Sequence, residues 1–489
     1  MAYNNQKNRE RLLNIQVAKE LFASVSVLKT VAGLREQLEG TDEYFYLRPE
    51  IGHDRNVFNM PFLLDADGFP WDEANNYLYS IVANKHSIQR PTDQAHRIAS
   101  RLLDYKFFTE DEGIDYLDFS GKRITARPTY RYFYYLAAVR ALSPRVVNQY
   151  TGDIWDFYQF IANSGQHNID LGRVDKVTNI RMAFSGHTGP IVKDVLKRSQ
   201  TLPVPGKKPT LLGYVDDEGE KLRPLTTEQI SELKRIINSR SWSASERLMI
   251  TTSLMTGARK QTVLTLRLKH VRLLFESKIE GEGLFKLHVG PGTLVDTKKS
   301  KPQILYFPRQ LIEELWTYAN SEEARARRKK FKEKFSREFP SLKSMDDDDI
   351  YIFLSDQGNC YYMGFDDPRY PRLKRSPAGQ VTDQLKRKIF RTASDRFPRD
   401  FYYHWLRATY AYLLWLGLQK HINSGELSDS AAISFIQARL YHKSRETTEN
   451  YLKLFSNLEI QMVAQESFED FLLPDEIFEE KTELEQGVK

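Results

Sequence analysis

The sequence predicts an α+β protein, mainly α-helical with a small antiparallel β-sheet. Apolar residues recur at helical spacing over most of the chain, whereas the stretch from Leu284 to Pro308 alternates as paired strands do. The composition, with 41% hydrophobic and 12% aromatic residues, is that of a soluble globular protein. At 489 residues the chain exceeds one ordinary core, so roughly three domains are expected.

Charge and cysteine content bear on the compartment and the partners. No apolar run reaches the length of about 18 residues that a membrane span needs, the first residues lack the apolar core of a signal peptide, and Cys360 is the only cysteine. These features favour a reducing, cytoplasmic compartment without membrane association. The net charge is +6, but much of the acid lies in Asp346–Asp349 and in the tail from Asp475 to Glu485, which leaves the segments between Arg97 and Arg407 more basic than average. This distribution permits a DNA partner.

Changes in composition divide the chain into five parts. They are an N-terminal accessory arm (1–70), a helical bundle (71–200), an interdomain linker rich in Pro and Gly (201–222), a second folded domain (223–470, with an insertion at about 320–399) and an acidic C-terminal tail (471–489). For the arm, a packed extension without a DNA role is the alternative.

The bundle has features that suit a DNA-binding surface. One predicted helix carries an apolar stripe, formed by Ala95, Ile98, Ala99, Leu102 and Leu103. Arginines stand beside tyrosines elsewhere in the bundle, as Arg131 does beside Tyr130 and Tyr132, and such side chains suit phosphate and sugar contacts. For each arginine a solvated surface position is the alternative.

The second domain carries an ordered set of reactive side chains. In chain order these are Arg259 after a helix that ends at Gly257, a lysine-rich turn with Lys298, Lys299 and Lys301, His404 and Arg407 on one helical face, and then His442 and Tyr451. The run Asp346–Asp349 is not expected to bind a metal, because consecutive acids on a regular element point in different directions.

Cleavage of a phosphodiester needs residues of these types. Two guanidiniums, such as those of Arg259 and Arg407, clamp the non-bridging oxygens on which charge gathers. A tyrosine nucleophile has an ordinary pKa near ~10 and needs a base or cationic surroundings, for which His404 or His442 is suited. A lysine on a turn protonates the departing 5′ oxygen. The scheme requires neither a metal nor a nucleotide cofactor.

Three segments resemble the signature boxes of the tyrosine recombinases, the family of lambda-integrase-like phage and transposon integrases. They are TGARKQTVLTLRLKHV, YHWLRATYAYLL and LYHKSRETTENYL. In that family the third-box His precedes the nucleophile by nine residues, and here 451 − 442 = 9, with Thr447 and Thr448 at the family's paired-threonine positions. The resemblance covers about residues 71–465.

The resemblance assigns a role to each reactive residue. It implies that Arg259 is the first-box arginine, that His404 and Arg407 form the H-x-x-R box, that His442 is the third-box histidine and that Tyr451 is the nucleophile. Among the turn lysines, Lys298 follows a Thr as in many members and is preferred over Lys299 and Lys301. Thr262 departs from the family, since many members have an acidic residue there, and the spacing 404 − 259 = 145 is long, which we attribute to the insertion.

The resemblance also implies an architecture and a reaction. A helical core-binding domain and the catalytic domain would form a C-shaped clamp on double-stranded DNA, and strand exchange would pass through a 3′-phosphotyrosyl link and a Holliday junction in a tetramer of the chain. Accessory DNA-bending proteins and association with the bacterial nucleoid are further expectations, and the amphipathic segment 459–473 is expected to dock on a neighbouring subunit. The alternatives are a type IB topoisomerase-like enzyme or a telomere resolvase, and a DNA-binding regulator with a decayed catalytic domain.

Overall fold

A computed structural model describes residues 14–21, 25–27, 47–49, 57–83, 90, 92–186, 189–204, 214–217, 220–277 and 284–441. The chain divides into two compact units, the first comprising Met1–Lys208 with Arg369–Lys374 and the second Pro209–Pro368 with Arg375–Lys489. Helices and antiparallel strand pairs build both units, so the fold class is α+β with helices dominant.

The helices of the first unit are α1 (Asp72–Ala83), α2 (Thr92–Asp111), α3 (Pro128–Tyr134), α4 (Pro144–Ser164) and α5 (Leu171–Val174), and its strands are β1 (Ile15–Leu21), β2 (Val25–Val27), β3 (Leu47–Pro49), β4 (Val57–Leu63), β5 (Val177–Gly186) and β6 (Gly189–Arg198). Those of the second unit are the helices α6 (Thr227–Ile237), α7 (Ala244–Thr256), α8 (Lys260–Leu264), α9 (Leu268–Glu276), α10 (Arg309–Ala319), α11 (Glu322–Glu338), α12 (Val381–Thr392), α13 (Trp405–Asn423) and α14 (Asp429–Leu440), and the strands β7 (Val215–Asp217), β8 (Glu220–Leu222), β9 (Leu284–Val289) and β10 (Gln303–Pro308). The strands pair as β1 with β4, β2 with β3, β5 with β6, β7 with β8, and β9 with β10.

The first unit is built around an apolar core between α1, α2, α3 and α4. The stripe predicted on α2 is buried, with Ala95, Ile98, Ala99, Leu102 and Leu103 at most 4% exposed. Tyr132 of α3 also lies in this core, and its hydroxyl donates to Asp104 at 2.5 Å. The assignment of Tyr132 to a phosphate contact is therefore wrong, because a hydroxyl that is closed off from solvent does not reach DNA.

Residues 57–70, which end the predicted accessory arm, pack into the same core. Met60 and Leu63 of β4 are 4% and 0% exposed. Asn75 of α1 holds the strand end, because the Leu63 N–H donates to Asn75 Oδ1 at 2.7 Å and Asn75 Nδ2 donates to the Leu63 carbonyl at 3.0 Å. In the described ranges this part of the arm is a packed extension of the bundle.

Residues 177–186 and 189–198 form two paired strands in a region where helices are expected. β5 and β6 pair antiparallel without a bulge, from Val177 opposite Arg198 to Gly186 opposite Gly189. The helical assignment fails here because β-branched residues recur in V-T-N-I and P-I-V-K-D-V, and glycines stand at the two facing strand ends. The predicted helical bundle therefore ends before this hairpin.

The second unit has its own large core. Its most deeply buried side chains include Leu233, Leu248, Leu315, Phe353 and Trp405, each at most 1% exposed. Capping boxes begin two of its helices, Thr226 with Gln229 at α6 and Ser243 with Glu246 at α7. Helix α7 packs against β10 of the β9–β10 hairpin, which is the antiparallel pair predicted between Leu284 and Pro308.

The acidic run in the insertion takes part in ion pairs. The pairs are Asp347 with Lys332, Asp348 with Arg272, and Asp349 with Lys269, at N–O distances of 2.5, 2.6 and 2.9 Å. The run thus attaches to α9 and α11 through separate partners. Within the described ranges, no three His, Cys, Asp or Glu side chains are grouped so as to hold a metal ion.

None of the described helices combines the length and the apolar character that crossing a bilayer requires.

Candidate functional site

The first-box arginine follows a sharp helix boundary. α7 ends at Gly257, whose φ of 67° lies in the left-handed region, and Arg259 is the N-cap of α8 with an extended backbone. A Cβ atom at position 257 would lie 2.5 Å from Cδ1 of Tyr410 on α13. Glycine is required here by both its backbone angle and this close approach. The first box therefore packs directly against the second-box helix.

Arg407 connects all three boxes. Its side chain is buried, with the residue 3% exposed, and Nη1 donates to the Gly257 carbonyl at 2.7 Å while Nη2 donates to the Leu440 carbonyl. A buried guanidinium is costly unless it is hydrogen-bonded, so these bonds hold the ends of α7 and α14 against α13. His404 is the half-buried N-cap of α13, one turn before Arg407.

The lysine-rich turn is attached to the first box through α8. The Thr262 hydroxyl donates to the Asp296 carbonyl at 2.8 Å, and the Asp296 N–H donates to the Thr265 hydroxyl at 2.9 Å. Asp296 precedes Lys298 by two residues. The helix that begins at Arg259 therefore sets the position of the segment that leads into the turn.

The turn itself has an unusual backbone. Lys298 begins a 3₁₀ turn in which Lys299 and Ser300 have φ angles of 61° and 50°, in the left-handed region. The Thr297 hydroxyl donates to the Lys301 carbonyl at 2.5 Å and closes the turn. Lys298 and Lys301 are half-buried, whereas Lys299 is exposed. The choice of Lys298 stays a prediction.

The third box begins beside the same hairpin. Tyr441, the C-cap of α14, has a φ of 52°, and its hydroxyl accepts the N–H of Ile304 in β10 at 2.6 Å. His442 and Tyr451 lie outside the described residues, so their roles stay predictions. The chain does reach Tyr441, directly before His442, in contact with the hairpin.

Four distant segments therefore meet in the second unit. Arg407 bonds the helix ends at which the first and third boxes begin, Thr262 ties the first box to the lysine turn, and Tyr441 ties the third box to the hairpin. The predicted residues Arg259, Lys298 and His404 each lie within three residues of one of these contacts.

Asp296 is a residue of this region that the motifs did not indicate. It is 6% exposed, and both carboxylate oxygens accept the Phe365 N–H at 3.1 Å. Burial raises the pKa of the Asp296 carboxyl from 3.8 to about 6, against a smaller lowering by the Phe365 N–H and by the charge of Arg267. The sequence does contain a signal for this residue. Thr262 stands where many members of the resembled family have an acidic residue, and Asp296 is an acidic residue two positions before Lys298.

A groove lies between the lysine turn and α14. Its volume is about 720 Å³, and it is lined by Lys301, Tyr306, Ser434, Phe435, Gln437, Ala438, Arg439 and Tyr441. The Arg439 guanidinium lies 3.3 Å from the centroid of the Tyr306 ring, a cation–π contact between α14 and β10. The groove borders Tyr441, the second residue of the third box.

Comparisons with known proteins give structural neighbours. No protein-family model matches the chain, and no curated protein matches it. Among solved structures, the chain is similar to the XerH site-specific recombinase bound to its difH substrate, with 15% identity, a TM-score of 0.37, and coverage of 73% of this chain and 76% of that one. It is also similar to the Tn1549 transposon integrase in complex with a circular intermediate DNA (15% identity, TM-score 0.37, coverage 78% and 94%) and to the XerA recombinase (14% identity, TM-score 0.29, coverage 80% and 98%).

Proposed function

We propose that this chain is a site-specific DNA recombinase that cleaves and rejoins double-stranded DNA through a 3′-phosphotyrosyl intermediate. The observation that carries the proposal is the pair of hydrogen bonds from Arg407 to the Gly257 and Leu440 carbonyls. Gly257 precedes Arg259 by two residues, and Leu440 precedes His442 by two. One buried guanidinium thus brings together the approaches to both other boxes, which supports a common active site.

The first chemical step is attack on the scissile phosphate. The Tyr451 hydroxyl oxygen bonds to phosphorus as the bond from phosphorus to the 5′ oxygen breaks. The tyrosine proton passes to His404 or His442, and the departing 5′ oxygen takes a proton from the Lys298 ammonium. The products are a 3′-phosphotyrosyl link and a free 5′-hydroxyl.

The two arginines stabilise the charge that develops during attack. Arg259 and Arg407 bind the non-bridging oxygens, and bidentate geometry is possible because a guanidinium has five N–H groups in one plane. Burial of Arg407 strengthens such a contact, since charges attract more strongly away from bulk water. The same planar shape lets one guanidinium bind backbone carbonyls and phosphate together.

The second step reverses the first on a different strand. The free 5′-hydroxyl attacks the phosphotyrosine of a partner duplex, and the bond energy is conserved because the covalent link stores it. Two such exchanges pass through a Holliday junction and require four active sites, so the working assembly is a tetramer of this chain on DNA. Accessory DNA-bending proteins would direct the choice of sites.

Covalent capture tests this function and selects the DNA target in the same experiment. The full chain is incubated with a library of nicked duplexes that carry randomised base pairs, and DNA that resists detergent is recovered and sequenced. Nicked suicide substrates built from the recovered sequences should trap the wild-type chain, whereas the Tyr451→Phe variant should form no adduct. An adduct with Tyr451→Phe would show that another residue is the nucleophile.

Two further tyrosines provide controls for the capture experiment. Tyr134 is 66% exposed in the first unit, so Tyr134→Phe should trap as the wild type does. Tyr441 lies in the third box, but its hydroxyl already accepts the Ile304 N–H. Tyr441→Phe should therefore still form the adduct, more slowly. Complete loss in Tyr441→Phe together with retention in Tyr451→Phe would reverse the assignment.

A further inference from the structure

The β5–β6 ribbon, defined as the paired strands 177–186 and 189–198, presents its described side chains to solvent. At the described positions, 177–181 and 194–198, every residue is exposed or half-buried, with Leu196 72% exposed and the Arg181 side chain 83% exposed. An isolated two-stranded hairpin is at best marginally stable in water. A long ribbon with such exposure is typical of an element that lies against a partner.

The base of the ribbon is firmly attached to the bundle. The N–H and hydroxyl of Ser199 donate to Asp175 Oδ1 at 3.0 and 2.7 Å, and Arg198 Nη1 donates to the Thr151 carbonyl of α4 at 2.7 Å. Gln200 Nε2 donates to the Val174 carbonyl at 2.6 Å. These bonds fix the direction in which the ribbon leaves the bundle, so it is presented in an ordered way.

The charge of the ribbon favours a polyanionic partner. Residues 177–198 include four basic side chains against one acidic side chain, namely Arg181, Lys193, Lys197 and Arg198 against Asp194. Arg181 and Asp194 are paired across the strands at 3.4 Å, but both are exposed, so the pair is weak and water or phosphate can replace it. The excess of positive charge suits a phosphate backbone.

The dimensions of the ribbon suit the major groove of B-DNA. Its strands lie about 4.8 Å apart, and ten residues per strand at about 3.3 Å each span roughly 33 Å. The major groove is about 12 Å wide and admits a two-stranded ribbon, and one helical turn of DNA is about 34 to 36 Å long. The outer edges of a two-stranded ribbon carry unpaired backbone N–H groups, which donate to phosphate oxygens.

We propose that the β5–β6 ribbon lies in the major groove of duplex DNA, with Arg181 and Lys197 contacting phosphates or base edges. This inference rests on the proposed function, since it takes DNA as the partner. It adds a groove-binding element to the helical surface of the first unit. Because successive residues of a strand face opposite sides, Thr178 and Asn179 report on the two faces of the ribbon.

Disulfide crosslinking tests this proposal, because the chain has a single cysteine, Cys360, and it is buried. Thr178→Cys and Asn179→Cys are each made in the full chain carrying Tyr451→Phe, so that no cleavage chemistry contributes. The probes are mixed-sequence duplexes of 40 base pairs with a thiol tether on cytosine N4, in the major groove, or on guanine N2, in the minor groove. Ser241→Cys, an exposed position in the second unit, is the matched control.

At least one ribbon cysteine should crosslink to the major-groove tether at least about tenfold more than to the minor-groove tether. It should also exceed the crosslinking of Ser241→Cys to the major-groove tether by at least about tenfold. Crosslinking of neither ribbon cysteine while the protein shifts the duplex in a gel would overturn the proposal. So would a ribbon cysteine that instead forms disulfides between two copies of the chain. If the wild type traps DNA covalently but the ribbon does not crosslink, only the ribbon proposal is contradicted. If the ribbon crosslinks but no covalent adduct forms, only the catalytic proposal is contradicted.

Discussion

Replacement of Gly257 by alanine probes the junction of the three boxes. At a φ of 67°, alanine is strained by about 1 to 2 kcal/mol, because its Cβ approaches the backbone. The added Cβ would also lie 2.5 Å from Cδ1 of the Tyr410 ring, which is 8% exposed and has little room to move. Overpacking of this kind costs about 1 to 3 kcal/mol, so the total loss of stability should be about 2 to 5 kcal/mol.

Gly425→Ala is the matched control for this prediction. Gly425 follows α13 with a φ of 76°, and nothing lies within 4 Å of a Cβ placed there, so only the backbone strain of about 1 to 2 kcal/mol applies. The urea midpoints of both variants measure the difference. Gly257→Ala should also form the phosphotyrosyl adduct at least about tenfold more slowly, because displacement of the Gly257 carbonyl moves Arg407.

Two results would refute the reasoning about Gly257. Equal loss of stability in Gly257→Ala and Gly425→Ala would show that the Tyr410 ring yields to the added carbon. A normal rate of adduct formation in a destabilised Gly257→Ala would show that the contact between Gly257 and Arg407 does not position the active site. The trapping assay on the recovered substrates supplies the rate.

Other substitutions test the remaining contacts. Thr262→Val should lower the free energy of unfolding by about 1 to 3 kcal/mol and slow adduct formation, because the buried Asp296 carbonyl loses its donor. Thr262→Ser keeps the hydroxyl and should retain the stability and the rate. Equal urea midpoints for Thr262→Val and Thr262→Ser would contradict this. The Asp296 pKa is raised to about 6, so the folded chain holds that proton more tightly than the unfolded chain, and the unfolding free energy should fall as pH rises from about 4 to about 6. Asp296→Asn should remove that part of the decline, and identical pH profiles would count against it. Arg407→Lys should keep DNA affinity but slow adduct formation about a hundredfold, because an ammonium lacks the planar pair of N–H groups that bind two phosphate oxygens. A loss of DNA affinity equal to the loss of rate would argue for a binding role instead.

Much of the second unit was predictable from local patterns. The local pattern predicted the helix that ends at Gly257, because helical spacing and a terminal glycine both act within a few residues. The strand alternation predicted the β9–β10 hairpin for the same reason. The strands 177–186 and 189–198 were not predicted. Their β-branched residues and the glycines at their facing ends are nevertheless a signal that also acts within a few residues.

The sequence by itself determined the set of reactive residues, their order and the spacing of nine between His442 and Tyr451. Only the tertiary structure decided that Arg407 bonds the Gly257 and Leu440 carbonyls and that Asp296 lies buried against α8. The physical reason is that these partners are carbonyl groups or distant residues, and every residue type supplies the same carbonyl. A local pattern specifies which side chains share a helical face, whereas the packing of the whole core specifies which distant backbone atoms a buried guanidinium meets.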